Sequence, residues 1–383
     1  MTERLYYQNS HMRDFSAKVI SCEPRGGEYA VILSRTAFFP EGGGQAADTG
    51  NIAGAQVIDV REEGDEIVHV TASPVDVGTR VRCAIAWDTR FHRMQNHSGE
   101  HIVSGIVHKL YGYDNVGFHM GADSVTLDFN GELNDGDLKK VESIANMTVW
   151  RNLPVTASYP SAEELSIMEY RSKKELSGSV RIVSIEGVDH CACCAPHVSH
   201  TGEIGIIKLL SAERHRGGMR LVMVCGADAL LDYNLRCENI AAISELLSAK
   251  QLETAAAVRR IFAEAEREKR RADATELELA RRRAAALLPT DGNICLFEGE
   301  LSEPALRELV NLGMKKSRLC AAFSGVDGAW RYIIGSDTLK LRAVSREINA
   351  AIDGRGGGSD AMLQGTAKAE RATIEEYFRN ARL

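Results

Sequence analysis

Through residues 16–90 the apolar positions come in short runs rich in Val and Ile: AKVISCE, EYAVILS, AQVIDVREE, EIVHVTA and RVRCAIAW. Gly, Asp and Pro separate the runs, so each is predicted as a strand bounded by a turn. That density of short strands suits a small barrel or sandwich. From 91 to 112 the spacing turns helical, with Met94, His97, His101, Ile102, Gly105 and Leu110 marking the longer period. Strand-like runs return at SVTLDF, VRIVSIE, EIGIIKLLSAE and MRLVMVC.

Residues 227–288 differ in kind. They hold no Pro or Gly and are crowded with Ala, Leu, Glu and Arg, which predicts one or two long helices paired as a hairpin or coiled coil. LLPTDG at 287–292 ends the run. From 293 onward strands (ICLFEG, RLCAAFSG, WRYIIGS) alternate with helices, and DGRGGGSDAMLQG precedes a final helix. Its glycine run is predicted as a tight loop. The fold class expected is α+β and multidomain: a barrel-like subdomain at 1–90, an α/β domain at 91–226, a helical linker at 227–288 and a C-terminal α/β domain at 289–383.

Composition narrows this only a little. A hydrophobic fraction of 44% and a charged fraction of 26% over 383 residues are those of a water-exposed globular chain. No apolar run approaches the roughly 20 residues of a membrane span, and the polar start MTERLYYQNSHMRDF has no signal-peptide character. Nine cysteines, an odd number, point to a reducing cytoplasm with thiols buried, reactive or metal-bound. The net charge of -7 speaks against a wholly basic nucleic-acid surface, but local basic stretches exist at ERHRGGMR and between Arg259 and Arg283. The second holds nine Lys or Arg against six Asp or Glu, which also suits a solvated helix face.

Candidate chemistry begins at NHSGEH. His97 and His101 stand four apart, so a helix places both imidazoles on one face, able to grip one ion. With Glu100 the run also matches H-x-x-E-H, the inverted zinc-protease signature. DHCACCAPHVSHTGEIG, 189–205, supplies a second pair in Cys193 and His197, also four apart, with Pro196 stiffening the turn between them. Two histidines from a helix with a Cys and a His from a loop make a tetrahedral N/S set suited to Zn2+ rather than magnesium or calcium. Cys194 and Cys191 are alternative thiols, and His190 and His200 lie nearby. A protease of this type takes a carboxylate as third ligand and leaves a position for water, so a Cys/His pair disfavours a peptidase. Glu100 then reads as a solvated helix residue or as a group orienting a histidine.

The other cluster is RTAFFPEGGGQAADTG, 35–50. Gly42, Gly43 and Gly44 let backbone approach a ligand closely or adopt positive φ. Their spacing matches neither a P-loop nor a dinucleotide fingerprint. Gln45 and Asp48 follow at fixed offsets.

TAFFPEGGGQAADTG, MQNHSGEH and CCAPHVSHTGEIG, in this order and spacing, resemble the editing domains of alanyl-tRNA synthetase and of the free-standing AlaX-type editing proteins. The likeness covers essentially the first 225 residues. GRGGGSDAMLQG, after the long helical segment, resembles the C-terminal DHHA1-type domain of the same synthetase, as in the long AlaX type. Editing motifs already within the first fifty residues leave no synthetase catalytic domain expected.

This resemblance implies a trans-editing hydrolase that deacylates mischarged tRNA-Ala carrying serine or glycine. A hydrophobic synthetic pocket rejects a near-isostere by only about 10²-fold, so a second hydrolytic site is needed. Zn2+ would be held by His97, His101, Cys193 and His197. Thr36 matches a position near the serine hydroxyl, while Gln45 and the backbone of Gly42, Gly43 and Gly44 would lie beside the terminal nucleotide. Glu100 stands where many relatives carry Gln in HTGQH, and His119, in FHMG, would touch substrate. Arg216 and Arg220 would contact tRNA phosphate. The C-terminal domain implies tRNA elbow binding or a homodimer formed with the helical segment. CCAPH departs from the synthetase's CGGTH toward threonyl-tRNA editing domains, which keeps Ser-tRNA-Thr open as a substrate. A non-catalytic zinc-containing tRNA-binding module is the other alternative.

Overall fold

The first five apolar runs become strands of one closed barrel. In the computed structural model, which describes residues 1–121, 124–172 and 180–382, its strands are β1 (Asp14–Arg25), β2 (Glu28–Leu33), β3 (Gly50–Ile52), β4 (Ala55–Glu63), β5 (Glu66–Thr71) and β6 (Arg80–Ile85). They close in the order β1-β2-β5-β4-β3-β6, with every pair antiparallel. Alternate residues point inward, so Val19, Val31, Leu33, Ile52, Val57 and Ile67 fill the interior with Phe38. β3 has only three residues, too short to produce a periodic signal in the sequence.

The chain divides into two compact units, Met1–Asn239 and Ile240–Leu383. After the barrel, the first unit continues with α1 (Trp87–Tyr111), β7 (Asn115–Met120), β8 (Val125–Phe129), α2 (Asp135–Trp150), β9 (Val155–Ser158), β10 (Ile182–Ile185), β11 (Asp189–Ala192), β12 (Ile207–His215) and β13 (Gly218–Cys225). α1 opens with Asp88 in its first turn and stops at Gly112, whose left-handed backbone (φ 69°) donates its N–H to the carbonyl of His108. Asn96 to Val107 are buried without interruption, so this helix is enclosed on all sides rather than amphipathic. Ile102, Val103 and Val107 pack with Val125, Leu127 and Met223 of the four-stranded sheet β12-β13-β8-β7. A second sheet, β9-β10-β11, brings the cysteine-rich segment against the same helix.

The Ala- and Arg-rich segment forms two helices, α3 (Gly226–Leu246) and α4 (Thr254–Ala285), interrupted at Ser248, whose φ is 47°. The second unit then runs β14 (Asn293–Glu298), α5 (Glu303–Gly313), β15 (Leu319–Val326), β16 (Ala329–Gly335), α6 (Leu341–Ala351), β17 (Gly354–Gly358), β18 (Met362–Ala367) and α7 (Arg371–Asn380). The sheet order is β14-β15-β16-β18-β17, parallel only between β14 and β15. The chain is therefore mixed α+β with several sheets and a long helix. One expectation is corrected: the GRGGG run is β17 itself, paired with β18, and not a tight loop. A Cβ on Gly356 would meet the Gln364 carbonyl and the Tyr332 hydroxyl at 2.3 Å. The glycines serve a close strand approach, which a strand without side chains permits. No helix among the described residues is long and apolar enough to cross a membrane.

His69 lies fully buried in the barrel, its Nδ1–H donating to the Val31 carbonyl at 3.0 Å while Nε2 accepts from Thr36 Oγ1 at 2.8 Å. Burial, against the smaller opposing effect of the Val31 carbonyl, lowers its pKa to about 4. The ring is neutral in the folded barrel, so its contribution to stability is complete above the ordinary histidine range near 6.5. It is lost as pH falls from there through about 4, because the unfolded chain takes up the proton first. Acidification across that window should remove about 3 kcal/mol that His69→Gln does not lose. Urea-unfolding midpoints of both proteins at pH 7 and pH 4.5 check this, and equal losses would count against it.

Candidate metal centre

His97 and His101 project from α1 where it is fully enclosed, so neither imidazole is free to turn toward solvent. What orients them comes from other elements. Gly105, one turn beyond His101, has no Cβ; one placed there would lie 2.6 Å from the Val188 carbonyl oxygen and 2.7 Å from Asp189 Cβ. The bare helix surface lets β11 approach until Asp189 Oδ2 lies 3.0 Å from His101 Nδ1. Arg171 Nε and Nη2 hold the same carboxylate at 2.7 and 2.9 Å. Burial alone would push Asp189 up, but the hydrogen bonds from His101 and Arg171 outweigh it and keep the carboxyl below its usual range.

The other two imidazoles are tied in the same manner. His97 Nδ1 donates to Gln45 Oε1 at 3.1 Å, and His197 Nδ1 pairs with Ser98 Oγ at 2.9 Å. With Nδ1 of His97 and His197 hydrogen-bonded and that of His101 held 3.0 Å from Asp189, the Nε2 atoms are the nitrogens left for an ion, the arrangement by which outer partners select the ligating nitrogen. Cys193 Sγ completes the group, 3.5 Å from His97 Nε2 and 3.4 Å from His197 Nε2, and one donor atom from each of the four residues lies within 4.8 Å of all the others. Bonds of zinc's lengths in a tetrahedron span about 3.6 Å between N and S, so the donors stand nearly where such an ion needs them. Burial, with His101 and His97 adding to it, holds His197 well below the ordinary histidine range, which keeps it neutral as a ligand must be. Burial likewise pushes the Cys193 thiol up, an effect that a bound cation reverses. Cys194 is exposed beside Gly43 and does not join the group; Cys191 is buried next to Asp189.

Gln45 reaches His97 because the glycine motif is locked onto α1. Gly42 and Gln45 exchange backbone hydrogen bonds, both 3.0 Å, and Gly44 takes φ +81°. Three residues on, Asp48 accepts from the Phe39 N–H at 2.6 Å and is paired with Arg90, both side chains almost wholly buried. Arg90 also donates to the Ala37 carbonyl at 2.7 Å, and it stands seven residues, two turns, before His97. The acceptor that sets the His97 tautomer is thereby fixed relative to the histidine itself.

Glu100 is 1% exposed, which excludes the solvated-residue reading. Its Oε1 accepts from Asn115 Nδ2 at 2.7 Å and Ser104 Oγ at 2.8 Å, and its Oε2 lies 3.7 Å from His101 Nε2. His97, His101 and Cys193 of the ligand set, with His197 standing behind them and lining another pocket, form the floor of a cavity of about 690 Å3. Gly43 and Gly44 line it, and so do Tyr7, Phe118, Tyr159 and Arg181, none of which was singled out from the sequence. For Phe118 the signal was present: in a strand, alternate residues face one side, so Val116 and Phe118 line the cavity while His119 is exposed on the other face. Arg181 carried none, since its Nη1 bonds to the carbonyls of Cys193 and Ala195 exist only in the folded loop.

Three other sequence-selected residues stand apart from this floor. Thr36 is fully buried in the barrel, its Oγ1 engaged by His69 and by the Phe38 N–H. Arg216 is exposed in the β12–β13 turn at φ 47°. Arg220 forms a two-point pair with Asp128 at 2.6 and 2.7 Å.

A family model described as "Threonyl and Alanyl tRNA synthetase second additional domain" matches residues 180–222, and one described as "tRNA synthetases class II (A)" matches 5–89. The chain is 25% identical over 399 residues to alanyl-tRNA editing protein Aarsd1 of Danio rerio, covering 97% of this chain and 96% of that protein. Against alanyl-tRNA editing protein AlaX-L of Pyrococcus horikoshii it is 33% identical over 244 residues, 61% of this chain and 60% of that one. Against alanine–tRNA ligase of Pyrococcus abyssi it is 28% identical over 389 residues, 96% of this chain but 42% of the ligase. A solved C-Ala domain of Aquifex aeolicus alanyl-tRNA synthetase aligns with 24% of this chain and 92% of its own at 21% identity, with a TM-score of 0.21, too slight a likeness to bear on the fold.

The geometry predicts about one metal ion per chain, lost in Cys193→Ala and kept in Cys194→Ala. Asp189→Asn, which leaves the ligands intact, should weaken metal affinity about 10- to 100-fold. Elemental analysis and competition with a chromogenic chelator measure both. Metal retained in Cys193→Ala would reassign the thiol.

Proposed function

We propose, on the premise that the chain belongs to the alanyl-tRNA editing proteins, that it is a zinc-containing deacylase removing serine or glycine from mischarged tRNA-Ala in trans. The observation that carries this reading is the convergence of donor atoms from His97, His101, His197 and Cys193, three of which (all but His197) line an open cavity large enough for an aminoacyl nucleotide. Homology along nearly the whole chain to an alanyl-tRNA editing protein supports it.

Hydrolysis of the ester adds water to the acyl carbonyl, passes one proton from that water to an acceptor, and returns a proton to the ribose oxygen as the C–O bond breaks. When bound, zinc supplies a positive centre that polarises a carbonyl or acidifies a water. The chain's own residues then have distinct tasks. Gln45, Ser98 and Asp189 are positioning residues that hold the three imidazoles. Glu100, buried beside His101 and fixed by Ser104 and Asn115, places a carboxylate oxygen 3.7 Å from His101 Nε2 and would receive the proton or steady the water. Backbone at Gly43 and Gly44 would lie against the terminal nucleotide, a close approach that side chains would forbid. Arg216, exposed and with no carboxylate partner among the described residues such as Arg220 has in Asp128, is the better phosphate contact of the two.

Purified protein should hydrolyse Ser-tRNA-Ala or Gly-tRNA-Ala and spare Ala-tRNA-Ala. Cys193→Ala should abolish the activity. Glu100→Gln should lower it less than about tenfold, below the roughly 10²- to 10⁴-fold of an indispensable general base and in keeping with a carboxylate that steadies the water. Activity on Ser-tRNA-Thr alone would redirect the assignment in keeping with CCAPH. Bound metal with no turnover on any of these would make the chain a tRNA-binding module.

A further inference from the structure

The wall above the ligand set is an aromatic ring. Phe118 lies with its centroid 4.9 Å from that of His97, tilted by 41°, so a group brought to His97 from the cavity meets this ring. The ring also presses on bare backbone: a Cβ added to Gly44 would sit 2.5 Å from Phe118 Cδ1. Gly44 itself belongs to the turn closed by the paired hydrogen bonds of Gly42 and Gln45, so it cannot retreat without disturbing the residue that orients His97. Ring, turn and ligand form one stiff corner.

Resting on the deacylase reading, we propose that Phe118 is a specificity-determining residue that sets the upper size of the acyl group. The reacting carbonyl must come to the floor formed by the ligands. The nucleotide is by far the larger substituent and leaves by the open side, where Val116 and Tyr159 are 65% and 53% exposed. The amino-acid side chain, attached next to the same carbonyl, is turned toward the corner. Hydrogen, methyl and hydroxymethyl substituents fit beneath the ring, and branched side chains collide with it. A free-standing hydrolase meets every charged tRNA, so excluding large acyl groups protects most correctly charged tRNAs without reading their sequence. Alanine, smaller than serine, is not excluded in this way, and its protection rests on a different contact.

The test uses the full-length metal-loaded protein and one tRNA-Ala charged in turn with glycine, serine, threonine and valine. In Phe118→Ala the preference for serine over valine, as the ratio of kcat/KM values, should fall by about 10- to 200-fold, the range for methylene-sized differences in a pocket. Phe118→Leu should fall between that variant and wild type. Competition by non-hydrolysable 3′-amide analogues bearing seryl or valyl groups should show the same order in binding, with metal content measured on each sample. If Phe118→Ala sheds its metal, the Phe118→Leu ratio and the analogue competition decide. Wild-type turnover with an unchanged serine-to-valine ratio in both variants overturns this inference alone. A wild type that hydrolyses none of the four esters overturns the deacylase reading and this inference with it.

Discussion

The ion pair between Arg90 and Asp48 joins the barrel to the helix that carries two of the four candidate ligands. Both side chains are buried, and neither charge could be left alone there: breaking such a pair by removing one partner costs about 3–5 kcal/mol. Arg90 extends the connection by donating to the Ala37 carbonyl, and Asp48 by accepting from Phe39, so both flanks of the glycine motif are drawn to one point on α1. A hydrophobic contact of similar area would stabilise the junction equally well but would tolerate sliding. Charge-assisted hydrogen bonds with fixed directions do not, and the His97–Gln45 contact of 3.1 Å two turns away needs that registration.

Each candidate histidine ligand is oriented by a different part of the first unit. The barrel loop supplies Gln45 for His97, β11 supplies Asp189 for His101, and α1 itself supplies Ser98 for His197. The centre is thus the place where separate elements meet, and its geometry depends on all of them being folded. An ion there would bind only the assembled form, so its affinity adds directly to the stability of the assembly. The Gly105 approach shows how far the fold accommodates this. A helix interior accepts a residue that weakens it by about 1 kcal/mol relative to Ala so that one carboxylate can reach one imidazole.

Local patterns in the chain were enough to read most strands, the enclosed helix and the histidine and cysteine pairs, because each depends on residues within a few positions of one another. The partners of those residues were not readable in the same way. Asp189, Arg171 and Ser98 touch the centre through tertiary contacts that no spacing encodes, and Glu100 was legible as a carboxylate but not as a buried one. The two glycine runs show the limit most clearly. GGG at 42–44 is a turn with positive φ at two positions, while GGG at 356–358 is a strand whose missing side chains admit its neighbour. Composition is identical, and only the partner chain segment decides between them. Phe118 and His119 are a similar case: a histidine draws the eye for its chemistry, but strand alternation gives the cavity to the phenylalanine.

The location of Thr36 bears on how a hydroxyl could be read at this site. Its Oγ1 donates to His69 and accepts from the Phe38 N–H, deep in the barrel, so neither its proton nor its accessible lone pair faces the cavity. Serine differs from alanine by one hydroxyl, and an apolar wall can discriminate only by volume, in the wrong direction for sparing alanine. A group that hydrogen-bonds the hydroxyl gives the larger ratio, because the analogue lacking it leaves a buried polar atom unpaired. Gln45 Nε2 has no hydrogen-bond partner among the described residues, although its side chain is wholly buried and its Oε1 already serves His97. An orphan amide costs about 1–3 kcal/mol in a folded chain, and it is tolerable where a bound group repairs it. A size limit set by an aromatic ring therefore works only against what is too large, and sparing alanine needs a hydrogen-bonding group that Thr36, turned into the barrel, does not supply.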